Sequence, residues 1–210
     1  VTGVADEATL DKLEELISTP LQHGGRHEDV TRLKEDLVAV GFGSFNFNEN
    51  YLSKTTRVVE EFQEYYGLKV NGIADDRTLE MLESILNTPL QQGERNEDVV
   101  QLKENLVALG FGSFKFNQNY GSTTAATVRE FQAFYDLKEN GIADDPTLDK
   151  MRELLDNPMQ RGDYRKDVVD LKENLAKLGF VVSSNPTPQY GPATESTVEE
   201  FQKYYKLEVT

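Results

Sequence analysis

The side chains with the types and spacing to do chemistry fall into two groups. The first is a run of aromatic rings and amides: Phe42, Phe45, Phe47, Asn48, Asn50 and Tyr51, repeated as Phe111, Phe114, Phe116, Asn117, Asn119 and Tyr120. Aromatic faces stack on sugar rings and peptide methyls, while amides donate and accept toward hydroxyls and peptide groups. Phe42 and Phe111 read as core residues. Phe47, Asn48, Asn50, Tyr51, Phe116, Asn117, Asn119 and Tyr120 are the candidates for a ligand surface. A second wall is expected from Gln63, Tyr66, Gln132 and Tyr135, near the turns Asn71-Gly72 and Asn140-Gly141, although Tyr66 and Tyr135 suit half-buried packing equally well.

The second group holds carboxylates and imidazoles. A glycosidase needs two carboxylates facing each other across a cleft. The adjacent pairs Asp75-Asp76 and Asp144-Asp145 instead suit capping and dipole-favoured charge at a helix start. His23 and His27 have a spacing that metal ligands can use, but the corresponding stretches carry Gln92, Asn96, Arg161 and Lys166, which points to solvated loop residues. No Ser-His-Asp set, HExxH pattern or phosphate-cradling glycine loop is present. The expectation is therefore no catalytic residue, no metal and no cofactor.

These groups sit on a strongly repetitive frame. Residues 22–88 align with 91–157 at a constant offset of 69, so that GFGSFNFNENY at 41–51 returns as GFGSFKFNQNY at 110–120. A third copy keeps the offset from Val168 to Phe180 and then gains one residue, so Tyr190 matches Tyr120 and Phe201 matches Phe131. Its loop, Val181 to Gln189, replaces the phenylalanines with serines and prolines and is expected to bind weakly or not at all.

Each period reads as three helices. Val30, Leu33, Leu37 and Val40 form one apolar stripe over Glu28 to Val40, repeated as Val99, Leu102, Leu106, Leu109 and as Val168, Leu171, Leu175, Leu178. Gly41, Gly110 and Gly179 follow where a left-handed cap is wanted. A second helix is predicted over Thr55 to Tyr66, with hydroxyl residues at its start and with Val59 and Phe62 inward. A third is predicted over Asp76 to Leu86, with Leu79, Leu82, Ile85 and Leu86 inward. In the second copy Asp145 is the expected cap of that helix and Pro146 its first residue. The fold class is all-α, in tandem three-helix modules.

The expected segments are 1–19, an orphan third helix of a preceding repeat; 20–88, repeat 1; 89–157, repeat 2; and 158–210, repeat 3 without its third helix. Val1-Thr2-Gly3 matches Val70-Asn71-Gly72 and the sequence stops at the equivalent phase, so the chain reads as a slice of a longer array. The apolar stripe of Leu10, Leu13, Leu16 and Ile17 is expected to complete the third copy, within the chain or between chains, because exposed apolar area costs roughly 25 cal/mol per Å².

Composition narrows the partners. Acidic residues outnumber basic ones 37 to 22, for a formal charge of −15, and no basic run exists. Nucleic acid and anionic membranes are disfavoured on that balance. Cysteine is absent, which excludes disulfides and thiolate sites. No apolar run approaches the ~18 residues of a spanning helix.

The succession DVxxLKxxLxxLGF, YG, TxxTVxEFQ, NGIAD and TL resembles the peptidoglycan-binding domain family, three-helix modules of bacterial wall hydrolases and surface proteins. In the second copy it is carried by Asp98-Val99, Leu102, Leu106, Gly110-Phe111, Tyr120-Gly121, Thr124, Val128, Phe131-Gln132, Leu137, Asn140-Gly141-Ile142 and Thr147-Leu148. The sequence departs from that pattern at Lys34, Lys103 and Lys172, where Gln is usual, at Asn71 and Asn140, where Asp is usual, and at Leu52, where Gly is usual. The resemblance implies non-catalytic binding of cell-wall peptidoglycan, glycan and stem peptide, outside a Gram-positive cell, with several weak sites targeting an attached domain. The alternatives are a structural spacer or assembly module of a surface protein, and a prodomain-like segment, since the same fold occurs in prodomains of animal matrix metalloproteinases.

Overall fold

A computed structural model describes residues 3–209, so Val1, Thr2 and Thr210, on which part of the phase comparison rests, lie outside the described residues. Nine helices and no extended strands occur among them: α1 Glu7–Ser18, α2 Glu28–Ala39, α3 Ser53–Tyr65, α4 Asp76–Leu86, α5 Asp98–Ala108, α6 Ser122–Phe134, α7 Asp145–Asp156, α8 Asp167–Lys177 and α9 Pro192–Tyr204. The protein is all-α, in tandem helical modules. Two compact units are present, one up to Thr88 and one from Pro89 onward.

In each of the first two copies the first helix packs against both the second and the third. The stripe residues Val30, Leu33, Leu37 and Val40 are buried, as are Val99, Leu102, Leu106 and Leu109. Phe131 and Phe111 meet edge to face at 5.2 Å, the arrangement their quadrupoles favour, and Met151 and Leu154 of α7 close the same core. Leu79 was expected inward on α4 but is 36% exposed, at the rim of the face that buries Leu82 and Ile85.

The caps explain where the helices begin and end. Asp75 Oδ1 accepts from the Thr78 amide at 3.0 Å and from the Thr78 hydroxyl at 2.8 Å, satisfying a free N–H of the first turn. Asp144 does the same for Thr147, so the cap of α7 is Asp144, one residue before the predicted Asp145. The hydroxyl residues at the start of the second helices do not cap them. Leu52, Gly121 and Gly191 hold that position without a side-chain hydrogen bond, because the hydroxyl residues fall inside the helix instead. Gly41, Gly110 and Gly179 have φ of 92°, 80° and 92°, as the left-handed cap requires.

Linker and loop are stitched by a short antiparallel contact in every copy. In the second, the Gly93 amide donates to Tyr120 O at 2.9 Å, the Tyr120 amide donates to Glu94 O at 2.9 Å, and the Asn96 amide donates to Gln118 O at 3.0 Å. The Ala143 amide donates to Leu90 O at 3.0 Å, which ties the turn before α7 to the same linker.

Within the unit from Pro89 onward, the second and third copies are joined by specific contacts. Tyr164 stacks on Phe134 at 5.4 Å with 12° between planes, and Lys166 sits 4.3 Å from the Phe111 ring while pairing with Glu130. Arg165 and Asp167 form a buried two-point ion pair, at 3.1 and 2.8 Å, and Arg165 also donates to Asn157 O at 2.8 Å. Gly110 lies so close to the backbone of Lys166 and Asp167 that a Cβ there would meet it at 3.2 Å.

The ends of the chain are less enclosed. Helix α1 buries no side chain, with Leu10, Leu13 and Ile17 exposed and Lys12 reaching Asp76 at the start of α4. In the third copy Leu178 is 57% exposed, whereas the equivalent Leu109 is fully buried.

Candidate functional site

The loop between the first and second helices is held from below by a lysine. Lys103 Nζ donates to Asn117 O at 2.9 Å, to Asn117 Oδ1 at 2.9 Å and to Asn119 O at 2.8 Å. Lys34 makes the same three bonds to Asn48 O, Asn48 Oδ1 and Asn50 O, at 2.8, 3.0 and 2.7 Å. Three donors meet three acceptors, so the ammonium is fully used within the protein. Both side chains are buried, and desolvation lowers their pKa values below the ordinary lysine range. Lys172 repeats the clamp with Thr187 O and Gln189 O, at 2.8 and 2.7 Å. Asn117 Oδ1 also accepts from the Asn119 amide at 3.1 Å, and Asn48 Oδ1 from the Asn50 amide at 3.0 Å.

This clamp presents the loop tip outward. Phe47 is 52% exposed and Phe116 53%, and Asn48, Asn50, Asn117 and Asn119 are exposed beside them. Large rings left in water on a fixed loop are available for stacking, unlike the core rings a few residues away. In the second copy the loop borders a depression of about 340 Å³ whose lining includes Lys103, Phe114, Lys115, Asn117, Asn119, Gly121 and Thr123. A larger hollow of about 550 Å³ lies between α2 and α4, lined by Leu21, Leu33, Leu79 and Leu82 with a charged rim. It has no aromatic lining, so the loop remains the better match to a glycan or peptide.

The structure places the other candidates inside the module. Tyr51 and Tyr120 are buried, and their hydroxyls donate to Gly72 O at 2.8 Å and Gly141 O at 2.9 Å. Burial pushes both phenols well above their usual range. Gln63 and Gln132 are fully buried, so neither offers its amide to a ligand. Gln132 Nε2 donates to Asn140 Oδ1, Ile142 O and Thr147 Oγ1, at 2.8, 2.9 and 3.0 Å, while its Oε1 accepts from the Gly141 amide at 2.9 Å. Gln63 organises Asn71, Gly72, Ile73 and Thr78 in the same way. These glutamines hold the turn that launches the third helix. The rings of Tyr66 and Tyr135 lie 4.8 Å from Phe62 and Phe131 and help close the core; burial pushes the Tyr135 phenol up to about 12. Gln63, Gln132, Tyr51 and Tyr120 thus form an internal scaffold around the turn, Tyr66 and Tyr135 are half-buried, and the exposed candidates are those of the loop tip.

The candidate carboxylates and imidazoles are engaged locally. Asp75 and Asp144 are committed to caps, His27 Nδ1 accepts from the Asp29 amide at 3.2 Å, and His23 lies 3.3 Å from Ser53 Oγ. Among the described residues no three His, Asp or Glu side chains gather as metal ligands, and no helix is long and apolar enough to cross a membrane.

Residues 26–82, 95–151 and 164–210 each match the family described as "Putative peptidoglycan binding domain". The sequence is also similar to the N-acetylmuramoyl-L-alanine amidase CwlL of Bacillus licheniformis, 27% identical over 169 residues, covering 65% of this chain and 46% of that protein. It is 28% identical over 162 residues to a second protein of that organism, named "Probable N-acetylmuramoyl-L-alanine amidase", covering 64% of this chain and 45% of the relative. The chain therefore spans about half the length of the curated relatives it matches. No solved structure matches it significantly.

Proposed function

Because this chain belongs to the peptidoglycan-binding domain family, matched three times in tandem, we propose that it holds on to bacterial cell-wall peptidoglycan without cleaving it and so targets an attached domain to the wall. The carrying observation is the lysine-clamped loop, which fixes Phe47 and Phe116 in solvent beside paired asparagines. Weak sites in series gain avidity on a polymer, where the effective concentration of the second site is in the millimolar range for a short linker. The relatives' names as amidases support a wall substrate for the whole protein, with cutting assigned to a part not among these residues.

In this reading the modules run over 20–88, 89–157 and 158–210, with 1–19 as the third helix of a preceding copy, and the protein works outside a Gram-positive cell. Copy three, whose loop lacks the phenylalanines, serves structure. The exposed face of α1, equivalent by the 69-residue offset to the buried face of α4, is a self-association surface for the open side of copy three.

Co-sedimentation with purified peptidoglycan tests the proposal. The folded chain is expected in the pellet, with no release of reducing ends or amino groups from the wall. Phe116→Ala should shift it toward the supernatant, and Thr187→Ala should not. A folded chain that stays wholly in solution would rule out wall targeting and leave the spacer role. A mass that rises with concentration in light scattering would support self-association through α1, and a constant monomer would dismiss it.

A further inference from the structure

The first two copies share their loop sequence closely, yet two positions beside the loop differ. Gly121 lines the depression of the second copy, and Leu52 stands at the equivalent place in the first. Thr123 is also in that lining, and its counterpart is Lys54, whose ammonium lies 5.6 Å from the centre of the Phe45 ring. The rings concerned, Phe45 and Phe114, are themselves equivalent.

Gly121 is not required by the backbone. Its φ is −84°, and Leu52 adopts φ −108° with nearly the same ψ. Nor does packing demand it, because a Cβ added to Gly121 would have nothing within 4 Å. What the glycine leaves is space. At the equivalent position of the first copy stands Leu52, 58% exposed to solvent and a helix cap without a side-chain hydrogen bond.

We propose that Gly121 and Thr123 are specificity-determining residues: they keep the pocket of copy two open for a methyl-bearing secondary amide, while Leu52 and Lys54 close the corresponding pocket of copy one. This deepens the wall-binding reading and rests on it. The Phe114 ring offers an apolar face for the methyl, and Asn119 and Thr123 offer hydrogen-bonding groups for the amide. Asn117 Oδ1 is already taken by Lys103 and by the Asn119 backbone, so its remaining amide donors are the Nδ2 hydrogens. Two components of a wall carry such an amide, the acetamido group of its amino sugars and the alanyl units of its peptides. Copy one is left to touch the polymer through the exposed surfaces of Phe47 and Leu52.

Calorimetry on the full chain separates these possibilities, using an N-acetylglucosamine oligomer in one arm and an alanine-containing stem peptide in the other. One of the two is expected to bind at one per chain. Gly121→Leu should weaken it by about tenfold or more, the scale on which a fitted pocket discriminates by shape, with the thermal midpoint unchanged. Leu52→Gly combined with Lys54→Thr should raise the stoichiometry to two. Gly121→Leu binding as tightly as the parent overturns the assignment. So does a parent stoichiometry of two. A chain that pellets with whole peptidoglycan equally well before and after Gly121→Leu overturns this inference alone, and a parent that never pellets overturns the wall-binding reading as well.

Discussion

The second and third copies carry the same lysine clamp, but only the second has a closed core. Lys103 and Lys172 both reach back to loop carbonyls 14 to 17 residues away, and both loops are pinned by a bridge, Arg95 to Asn119 and Tyr164 to Gln189. The cores differ. Phe131 is fully buried beneath Met151 and Leu154 of α7, whereas Phe201 and Phe180 are only partly covered and Leu178 lies largely in water. The loop is therefore encoded locally, by one lysine and a few peptide groups. The core requires a third helix from further along the sequence. A module can vary its loop tip while keeping the clamp, which is how copy three dispenses with the phenylalanines and still keeps its lysine bonds and its bridge.

Truncation of the two equivalent phenylalanines probes this difference most strongly. Phe131→Ala is expected to cost about 3–5 kcal/mol, the range for a fully buried ring, and Phe201→Ala roughly half as much. Urea unfolding followed by amide exchange in each copy would show it; equal costs would mean that the third core is as tight as the second. The clamp comes next. Lys103→Met should cost about 2 kcal/mol, since it strands carbonyls that had a charged donor, and should raise amide exchange over residues 113–119. Lys172→Met, with two carbonyl contacts in place of three, should cost less. Smaller still is Tyr120→Phe, expected to cost about 1 kcal/mol for removal of the bond to Gly141 O.

Alkaline titration is the finest probe. Burial raises the Tyr135 phenol from 10.0 to about 12, so folding holds a proton that the unfolded chain releases. Stability from this group is complete below pH 10 and lost between 10 and 12; Tyr120 acts in the same sense, and the lowered Lys103 and Lys172 pKa values act oppositely as the pH approaches 10.5. Absorbance at the phenolate band should therefore show Tyr120, Tyr135 and Tyr190 ionising above the usual tyrosine range. Ionisation of all three at the ordinary tyrosine value would contradict their burial.

The apolar stripes made the helices legible, and α4 has the predicted bounds, Asp76 to Leu86. The left-handed glycines and the repeat offset were legible for the same reason: both are local or periodic. The placement of the candidate site residues was legible only in part. The exposed Phe47 and Phe116 and the four asparagines lie at the surface, but Tyr51, Tyr120, Gln63 and Gln132 turned inward. Their partners are turn peptides 8 to 21 residues away, and no periodicity announces such a contact. One signal was available. In both complete copies a glutamine on the second helix is followed by an Asn-Gly turn, which is the pattern of an amide satisfying exposed backbone groups rather than a ligand.

The contact of Gly110 with the backbone of Lys166 and Asp167 has a mechanical consequence. With Tyr164 stacked on Phe134 and Lys166 laid across Phe111, the second and third copies have little freedom to swivel about Asn157-Pro158. In the proposed wall-binding reading, tension on a strand at the loop of copy two would be carried sideways into copy three as torque on a stiff arm. Copy three, without the loop phenylalanines, would then be the lever that sets the angle at which the array leaves the polymer.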